Sequence, residues 1–104
     1  MALSFLPQSN LPGTLCYIIY GSHPNDAVQA QDFQATINEQ HPNKVVLFEH
    51  NSREARGLID FFSLTDLRYP VLLIVREDDS LAYQWSTTLP TPEDLMYHLH
   101  QIGD

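Results

Sequence analysis

The groups in this 104-residue chain that could do chemistry are one cysteine, five histidines and thirteen acidic residues. Cys16 stands alone, so no disulfide can close within the chain and no two-cysteine redox cycle can run in it. It lies near the start of an apolar stretch with no basic neighbour to hold a thiolate, which marks it as a small core hydrophobe. His23 follows that first stretch, and Glu49 and His50 end the next one, so the three could come within reach of each other at one end of a sheet. They lack the short-spaced ligand pair of a metal site, and are expected to be exposed loop and strand-end groups. Ser22 beside His23 has neither an elbow motif nor an orienting acid. His98 and His100, two apart in a helical stretch, point in different directions and are expected at the surface. Glu77, Asp78 and Asp79 are adjacent on a turn and cannot converge on one ion without other oxygens, so the turn reads as solvated. No catalytic residue, metal or cofactor is expected.

Thirteen acidic residues against five basic ones give a net charge of −8, which repels phosphate backbones and anionic membrane surfaces. Nucleic acid and membrane are therefore not expected partners. The same charge can steer the chain toward a basic partner, although it serves solubility in any case. The length and a hydrophobic content of 43% suit one domain with its own core. No apolar run reaches membrane-spanning length, and the first residues lack a basic region before an apolar one, so a cytoplasmic protein is expected.

These groups must be positioned by elements legible in the pattern. Residues 1–14, with Pro7, Pro12 and Gly13, read as an irregular lead-in, and 15–104 as the domain. Residues 15–20 are apolar on both parities, as in a central strand covered on both faces. The turn formers Gly21 to Asp26 follow, the last of them suited to capping a helix whose stripe is Ala27, Ala30, Phe33 and Ile37. Gln29, Gln31, Asp32, Gln34 and Asn38 are expected to face away. After His41-Pro42-Asn43 a second strand runs over 44–50, parallel to the first. Ser52 caps a helix over 53–62 that buries Ala55, Leu58, Ile59 and Phe62. Pro70 heads the apolar run 71–75; it cannot donate to a ladder, so it belongs at the strand's first position, and Tyr69-Pro70 is a candidate cis bond. A polar turn at 76–80 and a strand over 81–85 complete an antiparallel hairpin, with Tyr83 and Trp85 expected on opposite faces as core and sheet cover. Thr91-Pro92-Glu93-Asp94 starts a last helix with the stripe Leu95, Leu99 and Ile102.

The order β-α-β-α-β-β-α, with a proline at the head of the hairpin, resembles the thioredoxin-like superfamily over about residues 15–102. The most specific part is Tyr69-Pro70-Val71-Leu72-Leu73-Ile74-Val75, which resembles the family's cis-proline strand. The resemblance implies an α/β fold with a mixed four-stranded sheet and helices on both faces. It also implies where chemistry is missing, since members that move electrons carry Cys-x-x-Cys between the first core strand and helix. Aligning the elements without gaps places Pro24 and Ala27 at those two positions, and no cysteine follows Tyr17.

A domain of this kind without thiol chemistry is expected to be a binding or interaction module for a protein or extended peptide. Its surface would be Gly21, Ser22, His23, Pro24, Asn25 and Asp26 together with Tyr69, Pro70 and Val71, where a helix N-terminus and an unpaired backbone edge could take an extended segment. Two alternatives stand beside this. One is a transferase-like enzyme or binder of glutathione or another thiol ligand at the cis-proline face, in which the small molecule supplies the thiol and the protein orients it; the other is a docking subunit that works through its charge and sheet edge.

Overall fold

The structure, a computed structural model, describes residues 15–40, 45–64, 68–76, 78, 80–87 and 89–102. Its elements are β1 (Leu15–Tyr20), α1 (Pro24–Asn38), β2 (Val45–Glu49), α2 (Arg53–Phe61), β3 (Val71–Val75), β4 (Leu81–Trp85) and α3 (Pro92–Ile102). The expected lead-in over 1–14, the helix stop at 41–43 and the side chain of Ile102 lie outside the described residues.

The strands form one sheet in the order β2-β1-β3-β4. β1 pairs with β2 in parallel and with β3 antiparallel, and β3 pairs antiparallel with β4. Because β1 and β3 are apolar at every position, both faces of the sheet are core. On one face Tyr17, Ile19, Val71 and Leu73 pack with Ala55 and Leu58 of α2. On the other, Ile18, Leu72 and Ile74 pack with Phe33 and Ile37 of α1 and Leu95 and Leu99 of α3. Each such Leu or Ile contributes about 1.5–3 kcal/mol of burial, so the two middle strands hold the layers together. Cys16 is fully buried in the second layer, as expected of a core hydrophobe.

Helix ends follow the sequence chemistry with one exception. The Ser52 hydroxyl accepts from Ala55 N–H at 3.2 Å, and Thr91 Oγ1 accepts from Asp94 N–H at 3.1 Å. The N-cap of α1, however, is His23 rather than a residue at the end of the turn cluster: its Nδ1 accepts from Asn25 N–H at 3.2 Å. Pro24 explains the shift, because its fixed φ and missing N–H suit the first helical position and push the cap one residue earlier.

Two expectations for the C-terminal half are corrected. Tyr83 and Trp85 share one face of β4, since residues two apart in a strand point the same way, and their ring centroids lie 5.9 Å apart. Ile74 pairs with Tyr83 but Val75 with Leu81, so Ala82 is an extra residue that turns Leu81 to the α2 side and Tyr83 to the α3 side. His98 is half-buried rather than a surface group: its ring is 4.3 Å from Tyr83, 5.1 Å from Trp85 and 5.6 Å from Tyr97, by centroids.

The turn before β4 is held by its own acid. Asp78 accepts from the hydroxyl and N–H of Ser80, and Arg76 N–H donates to Ser80 carbonyl at 2.8 Å. The Ser80 hydroxyl, more than any other neighbour, keeps the Asp78 carboxyl below its ordinary range. A carboxyl depressed in this way favours the folded turn above its unfolded pKa and loses that contribution as pH falls through its folded one. Ser80→Ala should move the Asp78 titration upward toward the ordinary aspartate range in a carboxyl-carbon NMR titration; an unmoved midpoint would discount the hydroxyl.

Candidate functional site

The antiparallel register of β1 and β3, with Ile19 opposite Val71, puts the end of one strand beside the head of the other. Gly21 is buried there, and a Cβ added to it would lie 2.9 Å from Asp26 Oδ2 and 3.1 Å from Tyr69 Cβ. Only a glycine permits that approach without displacement. The parallel neighbour joins from the other side: His50 N–H donates to Tyr20 carbonyl at 2.8 Å, and its ring sits 5.3 Å from that of Tyr69. His50 Nδ1 is buried and has no hydrogen-bond partner among the described residues.

The Tyr69-Pro70 peptide bond is cis. Thr87 N–H donates to Arg68 carbonyl at 2.7 Å, which ties the segment after β4 to the segment before β3. Thr87 has φ 74°, a left-handed conformation that a β-branched residue adopts at a cost of about 1–3 kcal/mol. Among the described residues, Tyr69 N–H and the Tyr69 and Pro70 carbonyls have no backbone partner.

Beside this backbone lies an open cleft of about 660 Å³. One wall is α1, which presents Asp26, Gln29, Asp32, Phe33 and Thr36. Facing it are Tyr69 and Pro70, and the far side is closed by Thr87, Leu89 and Pro92. A second cleft of about 450 Å³ between α1 and α3 is lined by Gln40, Thr91, Glu93 and Met96, and it shares Thr36 and Pro92 with the first. The two are therefore adjacent, on the side of the sheet where α1 and α3 lie together.

Of the nine residues expected from the sequence, Asp26, Tyr69 and Pro70 line the main cleft and Gly21 lies beneath Tyr69. His23 and Pro24 build the start of α1, and Ser22 and Asn25 are exposed next to it without lining the cleft. Val71 belongs to the core: its side chain is fully buried and its backbone stands in register with Ile19. The sequence reading missed Gln29, Asp32, Thr36, Thr87, Leu89 and Pro92. The first two were legible as polar helix positions, but nothing local shows that another segment stands across from them.

The described lining of the cleft offers hydrogen-bonding and apolar groups. No thiol lies near it, since Cys16 is in the core, and no group of three or more His, Cys, Asp or Glu side chains converges on a metal position among the described residues. His23, Glu49 and His50 thus form no ligand set; His23 caps a helix and His50 packs on Tyr69. No described helix is long and apolar enough to cross a membrane. The polar members of the main cleft are two carboxylates, an amide, two threonine hydroxyls and the Tyr69 phenol, with no lysine or arginine among its described lining residues.

No protein-family model and no curated protein sequence matches the chain. Solved structures do. A chain of the ferredoxin:thioredoxin reductase and thioredoxin f2 complex aligns with a TM-score of 0.65 at 11% identity, over 98% of this chain and 87% of that one. Thioredoxin-2 of a malaria parasite gives 0.64 at 9% identity, over 88% and 86%. Mitochondrial thioredoxin 3 of Saccharomyces cerevisiae gives 0.63 at 13% identity, over 93% and 86%. Identities this low speak for the backbone arrangement alone. The chain has the thioredoxin-like fold, built with a single buried cysteine and without Cys-x-x-Cys.

Proposed function

We propose that this chain is a non-redox binding module that takes an extended polypeptide segment in the cleft beside Tyr69 and Pro70. The observation behind this reading is the conjunction of backbone groups at the head of β3 that have no backbone partner among the described residues with an open cleft of about 660 Å³ next to them. Main-chain groups of that kind pair with a ligand strand whatever its side chains, and the flanking cleft then selects among side chains. Phe33, Leu89 and Pro92 offer apolar contact, while Gln29 and Thr36 offer hydrogen bonds. A cytoplasmic setting belongs to the same reading.

Glutathione fits the same place less well. It carries two carboxylates, and the cleft answers them with Asp26 and Asp32 rather than a cation.

The test is selection of displayed random linear heptapeptides on the wild-type protein and on Gln29→Trp. Gln29 is exposed on α1, so the substitution should leave stability within about 0.5 kcal/mol while filling the cleft. Peptides enriched on the wild type should bind the variant at least about tenfold more weakly, a loss of about 1.4 kcal/mol. Equal binding by the two proteins would remove the cleft from consideration.

A further inference from the structure

We infer that the cleft and the seam beyond it select a cationic extended segment of about six residues, an inference that rests on the peptide-binding reading above. The first ground is the distribution of charge. α1 and α3, which share one face of the sheet, carry Asp26, Asp32, Glu93 and Asp94 and no lysine or arginine. Arg53 and Arg56 lie on α2, across the sheet. Arg68 precedes Tyr69 but is not among the lining residues of either cleft, and Arg76 is in the turn before β4. Of the chain's five basic residues the fifth, Lys44, lies outside the described residues, so among the described ones these four carboxylates have no lysine or arginine beside them on the two helices that form the seam.

The second ground is continuity. Both clefts are lined by Thr36 and Pro92, so a segment that starts at Tyr69 and passes over these two side chains reaches the first turn of α3 and Met96. From Asp26 to Gln40 the α1 wall spans about 21 Å at a rise of about 1.5 Å per residue. An extended segment advancing about 3.3 Å per residue covers that length with about six residues. Carboxylates enter the path near its start (Asp26), its middle (Asp32) and its far side (Glu93), separated by the apolar surfaces of Phe33, Leu89 and Met96. A strand places alternate side chains on one side, so a segment with lysine or arginine at alternate positions and apolar residues between can meet both kinds of surface. These charges are partly exposed, so the attraction must weaken with salt.

The experiment uses three acetylated heptapeptide mixtures, degenerate at even positions and carrying lysine, glutamine or glutamate at the odd ones. Each is titrated into isotope-labelled full-length protein, with amide shifts followed at about 25 and 250 mM salt, which brackets the Debye length from well above to below 10 Å. The expected result is saturation with the lysine mixture at a concentration at least about tenfold below that of the glutamine mixture, and none with glutamate. Shifts should run from residues 26–36 to 89–96, and the preference should shrink at high salt and vanish in Asp26→Asn/Asp32→Asn/Glu93→Gln. Equal binding of lysine and glutamine mixtures would overturn the charge inference and leave the peptide reading standing. A lysine preference that survives in the triple variant would assign it to net charge and overturn the inference as well. Shifts confined to 21–27 and 69–71 would overturn the path along the seam. Absence of saturable shifts with all three mixtures would sink both readings.

Discussion

Leu72→Ala is expected to destabilise the protein by about 2–5 kcal/mol, the range for removing a fully buried leucine side chain from a packed core. Leu72 has no exposed surface and sits in register between Ile18 of β1 and Trp85 of β4. Its side chain faces the layer formed by α1 and α3, where Phe33, Ile37, Leu95 and Leu99 surround it. Truncation removes contacts from both neighbouring strands and both helices, and middle strands have little freedom to collapse into the space. Against a total stability of about 5–15 kcal/mol, such a loss is a large share. It should lower Tm by about 4–8 °C for each kcal/mol. Urea unfolding followed by circular dichroism measures it, with Tyr97→Ala, at a position 62% exposed, as the control that should change little. If the alanine variant does not fold, Leu72→Val supplies a smaller measurable loss. A loss below about 1 kcal/mol for Leu72→Ala would mean that β3 is not the packed centre described here.

Gly21→Val is expected to cost about 1–3 kcal/mol, as overpacking does, and also to displace the segment that heads β3. The first carbon of any side chain at this position meets Asp26 Oδ2 at 2.9 Å and Tyr69 Cβ at 3.1 Å. The carboxylate is the free end of a flexible group and can swing away. Tyr69 Cβ is one bond from the backbone, so relief there must move the segment that heads β3. Valine's further methyl groups enlarge the displacement, whereas Gly21→Ala asks for a few tenths of an ångström and should fall below it. The combination separates two roles of this contact: a stability loss in urea unfolding together with altered amide shifts at 68–71 reports displacement of the Tyr69 segment. Valine tolerated with unchanged shifts at Tyr69 would show that Gly21 and Tyr69 are not in contact.

Much of the architecture was present in local pattern. The apolar run on both parities of residues 15–20 marks a strand covered on two faces, and β1 is flanked by β2 and β3. Ser52, Thr91 and Pro92 each sit where a cap or a first helical residue must sit, because their hydrogen-bonding groups and fixed dihedrals act within three residues. The absence of a second cysteine is complete information from sequence alone, and it removes intrachain thiol–disulfide cycling whatever the fold.

The site was less legible, for a physical reason that particular residues illustrate. Gln29 and Asp32 read as a solvated helix face, and they are polar and exposed; only the position of Pro70, Leu89 and Pro92 makes that face one wall of a cleft. Val71 read as part of the surface through its backbone edge beside Pro70, and its side chain belongs to the core on the α2 side, as the apolar run 71–75 implies. His98 read as a surface residue because helix periodicity says nothing about what lies across from it, and the extra residue at Ala82 turns Tyr83 and Trp85 toward it. By itself, then, the sequence determined the elements, the caps of α2 and α3, the burial of β1 and β3 on both faces, the acidic charge and the missing redox pair, all of which depend on composition or on neighbours within a few positions. The tertiary structure alone decided that Gly21 meets Tyr69 and that α1 and α3 share a face with a seam between them. Those contacts depend on the order and direction of strands in the sheet, and they join residues too far apart in the chain for any local period to relate.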